Sequence, residues 1–161
     1  MWLARPGRGA ALAAALALAG ATAVAAGPCP GGTRMLTVED AARGEVLHRE
    51  CVRPGARLTL EYVHSSEGVP VRGVFRVERG PGLVLVETAF AGFGPGLPRL
   101  EPGDDWELRE GLIVARSHAR VEGLRLRVGP ATRHRLLTPA GGVLDLSALM
   151  GPGGPVQIGV E

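Results

Sequence analysis

Apolar and polar residues alternate with a period of two along most of the chain beyond residue 34, and no segment shows the periodicity of an amphipathic helix. Because successive side chains of a β-strand point to opposite faces, this alternation predicts strands with one buried and one solvated face. The clearest case is Leu58–Val63, in which Leu58, Leu60 and Tyr62 share one face. Continuing the alternation places His64 on the same face.

The same pattern predicts a series of short strands separated by Gly and Pro. These strands are Arg34–Val38, Glu45–Arg49, Leu58–Val63, Val71–Glu78, Leu83–Phe90, Trp106–Arg109, Leu112–Arg116, Leu124–Val128, Arg135–Thr138 and Val156–Val160. Gly44 lies in the turn of the first hairpin, the Gly- and Pro-rich residues 92–103 form a long loop, and Ser147–Met150 forms one helical turn. About ten short strands are typical of an all-β fold, an antiparallel β-sandwich or a partly open barrel.

The first 26 residues have the three-part pattern of an export signal. Arg5 and Arg8 precede an uncharged run of Ala and Leu, and Ala23–Ala26 supplies the small residues that signal peptidase requires. We therefore predict a cleaved signal peptide over residues 1–26, a single all-β domain over residues 27–161, and a periplasmic or other extracytoplasmic location. An uncleaved N-terminal anchor is the less favoured alternative, because the run is rich in Ala and shorter than the ~20 apolar residues of a spanning helix. We expect no transmembrane segment after cleavage.

The net charge of the predicted domain argues against a nucleic-acid partner. All 18 basic residues are Arg; without Arg5 and Arg8, 16 remain against 16 acidic residues, so the domain has no net charge. Nucleic-acid binding is therefore not expected, since it needs a broad positive surface. Seven Arg fall between Arg109 and Arg135, with only Glu110 and Glu122 among them. This stretch is either a surface for an anionic partner or a solvated sheet face.

Two cysteines, Cys29 and Cys51, remain in the predicted domain. An even number in an oxidising compartment favours one disulfide, and two unpaired thiols are the alternative. Neither a CxxC motif nor clustered His accompanies the pair, and the acidic residues of 101–105 lack the spacing of an EF-hand. We predict no metal site and no cofactor.

Two segments are unusual for plain scaffold. In Tyr62–Pro70 a strand ends in a polar cluster that includes His64, Ser65 and Glu67, and Phe93–Pro98 opens the long loop. On the simplest up-and-down topology, both segments follow strands that exit at the same end of the sheet. We therefore expect His64 and the loop to lie at a common rim and to form one pocket of polar residues and glycines.

These two segments, together with Gly44-Glu45-Val46-Leu47 of the first hairpin, resemble the family called domain of unknown function 1850. The clear resemblance covers Leu36–Pro98, and a looser one extends the family-like core over residues 34–138. The chain departs from the family pattern between Glu67 and Pro70, where Gly68 and Val69 replace a basic residue and Thr.

Members of this family are small exported proteins, often encoded beside tripartite ATP-independent periplasmic (TRAP) transporters of the TAXI class, and no activity is established for them. The resemblance implies a non-enzymatic accessory or binding module whose partner is a transporter component or a small-molecule ligand. The candidate ligand- or partner-binding residues come from the two segments: His64, Ser65, Glu67, Phe93, Gly94 and Gly96.

Two other functions stay open at this point. One is a small periplasmic hydrolase that uses His64 with Glu67 or Ser65, although neighbouring strand residues point apart and no nucleophile elbow is present. The other is a structural envelope protein, in which His64 satisfies a buried backbone group and Glu67 belongs to a turn. No residue is predicted to be catalytic.

Overall fold

A computed structural model describes residues 27–161, so the predicted signal peptide lies outside the described residues. Nearly all regular structure in this range is β-strand. The strands are β1 Arg34–Asp40, β2 Glu45–Val52, β3 Arg57–Val63, β4 Pro70–Val77, β5 Leu83–Phe90, β6 Trp106–Arg109, β7 Leu112–Val121, β8 Gly123–Val128, β9 Arg135–Leu137, β10 Val143–Asp145 and β11 Gly154–Val160. The single helical turn, α1, covers Leu146–Leu149.

The strands form two antiparallel sheets of unequal size. The smaller has four strands in the order β2-β1-β11-β8, and the larger has seven in the order β10-β9-β3-β4-β5-β7-β6. The predicted all-β class is confirmed, and the architecture is sandwich-like rather than a closed barrel. The last strand, β11, lies between β1 and β8, so the C-terminal strand completes the smaller sheet.

Several strands are longer than predicted, and one strand was not predicted. β2 continues to Val52 instead of ending at Arg49. β7 continues to Val121 instead of ending at Arg116, because a register shift opposite Leu85 to Glu87 interrupts the alternation that defined the strand. The three residues of β10 were not predicted, since so short a strand shows no period of its own. β10 is held by pairing with β9.

The main core lies between the smaller sheet and one half of the larger sheet. From the smaller sheet, Leu36, Val38 and Ile158 are completely buried. From the larger sheet, Leu58 and Leu136 meet them. The end of the larger sheet that carries Val71 of β4, Phe90 of β5 and Ala115 of β7 extends past this core. Its inner face has a separate small cluster, covered by the loop that joins β5 to β6.

A disulfide joins Cys29 to Cys51, with the two Cα atoms 5.5 Å apart. It fastens the segment before β1 to the end of β2, so the first described residues are attached to the smaller sheet. Among residues 27–161, no helix combines the length and the apolar content that crossing a membrane would take.

Candidate functional site

The polar cluster forms the turn between β3 and β4. The His64 N–H donates to the Val69 carbonyl at 2.8 Å, and the Gly68 N–H donates to the His64 carbonyl at 2.8 Å. Gly68 has a φ of 65°, a conformation that costs little only without a Cβ atom. These bonds close the turn and hold its side chains at the rim of the larger sheet.

The His64 side chain joins this turn to the glycine-rich loop. Its Nε2 lies 2.9 Å from the carbonyl oxygen of Pro95. Because a carbonyl only accepts, Nε2 must carry the proton of this bond, and in the neutral ring Nδ1 is then an acceptor. The expected meeting of His64 with the loop at a common rim is therefore present, through a direct hydrogen bond.

A second contact joins the same two segments. Glu67 lies against Gly94 so closely that a Cβ on Gly94 would be 2.6 Å from the Glu67 Cγ atom. Glu67 is exposed and flexible, so an alanine at 94 would displace this side chain rather than unfold the loop. Two residues further, Gly96 has a φ of 81°, which turns the loop back towards the sheet.

The hydroxyl beside His64 belongs to Ser66, not to the Ser65 named from the sequence. The Ser66 Oγ lies 3.2 Å from His64 Nδ1 and 3.2 Å from a Glu67 carboxylate oxygen. Ser65 is exposed on the turn. The turn that His64 and Gly68 close brings residue 66 over the ring. The spacing of two residues in a turn was the signal that would have identified Ser66.

This arrangement does not favour the hydrolase interpretation. In a Ser-His-acid triad one ring nitrogen activates the hydroxyl and a carboxylate holds the other. Here the second nitrogen of His64 is held by the Pro95 backbone, and the carboxylate of Glu67 receives the Ser66 hydroxyl instead. The geometry instead fits a structural role, in which His64 holds the polar turn to the glycine-rich loop by donating a hydrogen bond to the Pro95 carbonyl.

The loop that joins β5 to β6, residues 91–105, is called the latched loop below because His64 bonds to its Pro95. It covers an apolar cavity on the inner face of the larger sheet. The cavity has a volume of about 420 Å³ and is lined by Leu60, Tyr62, Val71, Gly73, Phe75, Leu85, Thr88, Gly96, Leu97 and Pro98. Leu97 is buried and packs with Phe90 and Ala115. The polar turn does not line this cavity. The expected pocket of polar residues and glycines is thus wrong in its lining, because His64 holds the loop from the rim while the sheet supplies the walls.

Gly73 forms part of the cavity floor. A Cβ at this position would lie 3.1 Å from a ring carbon of Phe75, so any side chain there would occupy the space above the sheet. The sequence offered no signal for this, since a glycine within a strand has several uses.

Large apolar side chains continue from the cavity to the edge of the sheet. Phe93 packs edge-to-face on Phe90, with ring centroids 5.9 Å apart, yet 61% of its surface is exposed. Trp106 and Leu108 of the edge strand β6 are 47% and 70% exposed. Both belong to the inner face, because they pair with Ala115 and Ile113. An apolar strip therefore runs from the cavity to the sheet edge.

A histidine that the sequence did not single out supports the other side of the cavity. His134 is buried and stacks on Tyr62, with ring centroids 5.1 Å apart and planes 13° from parallel. Its Nδ1 lies 2.8 Å from the Thr132 hydroxyl, and its backbone N–H donates to the Ser147 hydroxyl at 2.9 Å. Burial lowers the pKa of His134 and raises the pKa of Tyr62. The stack fixes the orientation of the Tyr62 ring, which forms one wall of the cavity.

Over residues 27–161, no three His, Cys, Asp or Glu side chains come together as metal ligands would. The candidate site thus has three parts: a hydrogen-bonded polar turn, a loop rich in glycine, and an apolar cavity.

Comparison with known proteins gives one match. The model of the family described as domain of unknown function (DUF1850) matches residues 58–144. The match begins at β3 and includes the polar turn, the latched loop and β4 to β9, whereas the first hairpin lies before it. No curated protein and no solved structure matches the chain.

Proposed function

The chain belongs to the DUF1850 family, and we propose that it works outside the cytoplasm as a non-enzymatic binding module that takes a small, largely apolar ligand in the cavity under the latched loop. The observation that supports this proposal is the part of the inner face of β3, β4 and β5 that the smaller sheet does not cover. There the loop of residues 91–105 leaves a cavity of about 420 Å³ instead of a filled core. Ligand sites typically have volumes of about 300–1,000 Å³, mostly apolar walls and few polar groups.

The polar groups available to a ligand are few. The Thr88 and Tyr62 side chains line the cavity among aliphatic residues. One or two hydroxyls in an apolar site can orient a ligand while burial of its apolar surface supplies most of the affinity. The exposed Phe93 packs on Phe90, and the exposed Trp106 lies on the same inner face as Thr88, so both extend the apolar surface that a longer ligand would cover.

A neutral, apolar fluorescent probe, N-phenyl-1-naphthylamine, tests this site directly. We expect saturable binding, because the cavity offers an apolar environment. Gly73→Val should weaken it at least about tenfold, because the new side chain fills the floor. Gly159→Val is the matched control: it adds the same side chain in β11, where a Cβ meets nothing within 4 Å. Trp106, the only tryptophan in residues 27–161, gives an independent fluorescence signal on the inner face of the sheet.

Equal affinity for the probe in wild type, Gly73→Val and Gly159→Val would refute the cavity as the site. Because valine at 73 crowds Phe75, the thermal unfolding of each variant is measured as well. Gly73→Ala, with a smaller addition, should give an intermediate loss of binding. A graded loss with size is not expected from unfolding alone.

The partner that we propose is a component of a TRAP transporter. Support comes from the family resemblance and from the export pattern of residues 1–26, which together would bring the domain to the periplasmic side of the inner membrane. Affinity purification from solubilised membranes should recover a TRAP permease or its binding protein with the tagged chain. Recovery of the tagged chain without either would contradict this part of the proposal and leave the cavity test unaffected.

A further inference from the structure

The arginines that crowd residues 109–135 do not form one surface. Some are paired with acids of the larger sheet: Arg109 with Glu107, Arg116 with Asp105 and Glu107, and Arg135 with Glu61. Others, Arg125 and Arg127, belong to β8 in the smaller sheet. Arg120 joins a different group, which comes from distant parts of the chain.

This group crosses the outer face of the larger sheet. Arg57 of β3 lies directly opposite Arg76 of β4, Arg76 lies opposite Val84 of β5, and Val84 lies opposite Arg120 of β7. Directly opposite residues of antiparallel strands project to the same face, so Arg57, Arg76 and Arg120 form an arginine row. Like charges placed opposite each other on neighbouring strands repel, and hence the row is not explained by stability of the sheet.

The turn between β4 and β5 lies beside the row, next to Arg76 and Val84. A concavity of about 400 Å³ lies there, lined by Pro54, Gly55, Arg76, Val77, Glu78, Arg79, Gly80 and Arg120. A guanidinium nitrogen of Arg120 comes within 3.8 Å of the Cβ position of Gly80. The Arg34 guanidinium donates to the backbone carbonyl of Arg79 and so brings another cation to this turn.

Positive charge in the concavity exceeds negative charge. Glu78 is the only acidic residue in its lining, and it contacts Arg76 at 3.3 Å. Residues 27–161 as a whole have equal numbers of arginines and acids, so this local excess is a separation of charge within a neutral domain. Val84, in the middle of the row, is only 7% exposed although it faces outward, as expected when long arginine stems cover it.

We propose that the arginine row and the Arg79–Gly80 turn form an anion site that binds phosphate groups. Guanidinium groups recognise phosphate oxygens with paired N–H donors, and several converging arginines with one acid leave donors free for such a ligand. From Arg57 to Arg120 the row spans three strand spacings, about 14 Å. It therefore has room for more than one phosphate, either on a soluble ligand or among the headgroups of an anionic membrane surface.

Two probes distinguish these sources. Binding of inorganic phosphate is measured by calorimetry. Binding to phosphatidylglycerol vesicles is measured by co-sedimentation, with phosphatidylcholine vesicles as the uncharged comparison. The test variant is Arg57→Gln with Arg120→Gln. The control, Arg49→Gln with Arg125→Gln, removes the same charge from outward-facing positions of β2 and β8. We expect the test variant to lose at least about tenfold in affinity for whichever probe binds, and the control to stay within about twofold of wild type.

If the protein binds phosphate but not the vesicles, the ligand is a soluble phosphate compound. If it binds the vesicles and phosphate competes with them, the ligand is the headgroups of the membrane. Both outcomes support the site when only the test variant loses binding. Absence of binding to either probe, or an equal loss in test and control variants, overturns it. Binding of the apolar probe is measured in the same variants, because the cavity on the inner face should be unaffected whether or not the anion site exists.

Discussion

At the scale of single residues, His64 has the largest structural effect among the candidate positions. It follows β3 in the chain, and its ring reaches the backbone of Pro95 in the loop after β5. A single hydrogen bond of this kind contributes about 0.5–1.5 kcal/mol to stability. This bond holds the Pro95 end of the loop, while the buried Leu97 packs on the sheet.

We predict that His64→Ala lowers the free energy of unfolding by about 1 kcal/mol and weakens binding of the apolar probe several-fold. The physical reason is the lost donor to the Pro95 carbonyl, which frees the loop over the cavity. Urea unfolding and probe titration measure the two effects.

His64→Gln is the control for this change, because its terminal amide can donate to the same carbonyl and should restore most of the probe binding. If His64→Ala destabilises the domain by several kcal/mol but binds the probe as wild type does, His64 serves the fold and has no part in the site.

Gly94 and Ser66 show how far single positions could be predicted. The sequence indicated that Gly94 and Glu67 belong to one site, and the structure places them in contact. Ser65 was named as a candidate site residue, and the structure places the hydroxyl of Ser66, which was not named, beside the His64 ring. A turn changes side-chain direction within one residue, so positions within a turn are less determined by pattern than positions within a strand.

At the scale of elements, His134 connects β9 with β3 and α1. Its ring stacks on Tyr62 of β3, and its backbone N–H bonds to Ser147 of α1. The Ser147 hydroxyl in turn donates to the Gly129 carbonyl at 3.1 Å. The helical turn α1 and the segment at Gly129 are thereby held against the larger sheet.

We predict that this junction weakens in acid. Burial lowers the pKa of His134 below its ordinary value of 6.5, so the unfolded chain takes up the proton at higher pH than the folded one. Stability from the neutral ring is therefore fully present above about pH 6.5 and is lost as the pH falls through the folded pKa. The loss cannot exceed about 1.4 kcal/mol per pH unit for one proton.

The measurement is urea unfolding at several values between about pH 7.5 and 5, in wild type and in His134→Phe. Phenylalanine keeps a ring against Tyr62 and does not titrate, so its stability should fall less steeply below about pH 6.5. All other titrating groups are common to both proteins, and the difference isolates His134. Parallel curves for the two proteins would contradict the prediction.

At the scale of the whole molecule, the unequal sheets create both proposed sites. The smaller sheet covers one half of the larger sheet, and the other half keeps an apolar inner face that only a loop covers. The outer face of the larger sheet carries the arginine row. The two surfaces lie on opposite faces of one sheet, so a ligand on one leaves the other accessible.

We predict that the mature protein begins near Ala26 or Gly27, because the small residues before this point suit signal peptidase. The intact mass of protein recovered from the periplasm measures this. A mutant that replaces the Ala and Leu run with charged residues should stay in the cytoplasm with its full mass. Retention of Met1 or Trp2 in the exported protein would favour the uncleaved anchor instead.

The local pattern of the chain was sufficient to locate its strands and its long loop, and it favoured the disulfide. Alternation of apolar and polar residues is a property of each strand by itself, and therefore the predicted strands agree in position with β1 to β9 and β11, although several of them, β2 and β7 most, extend further than predicted. The Gly- and Pro-rich segment follows from backbone preferences that are equally local. The rim at which His64 meets the loop was predictable because up-and-down pairing of neighbouring strands is the simplest topology.

Only the tertiary structure decided which side chains meet across the chain. Alternation carries no information on partners or register, so it could not show that β11 lies between β1 and β8, or that Arg57, Arg76 and Arg120 share a row. The stack of His134 on Tyr62 and the cavity above Gly73 depend on the same long-range pairing. Register between distant strands is set by the packing of all buried faces together, and no single segment of the sequence contains it.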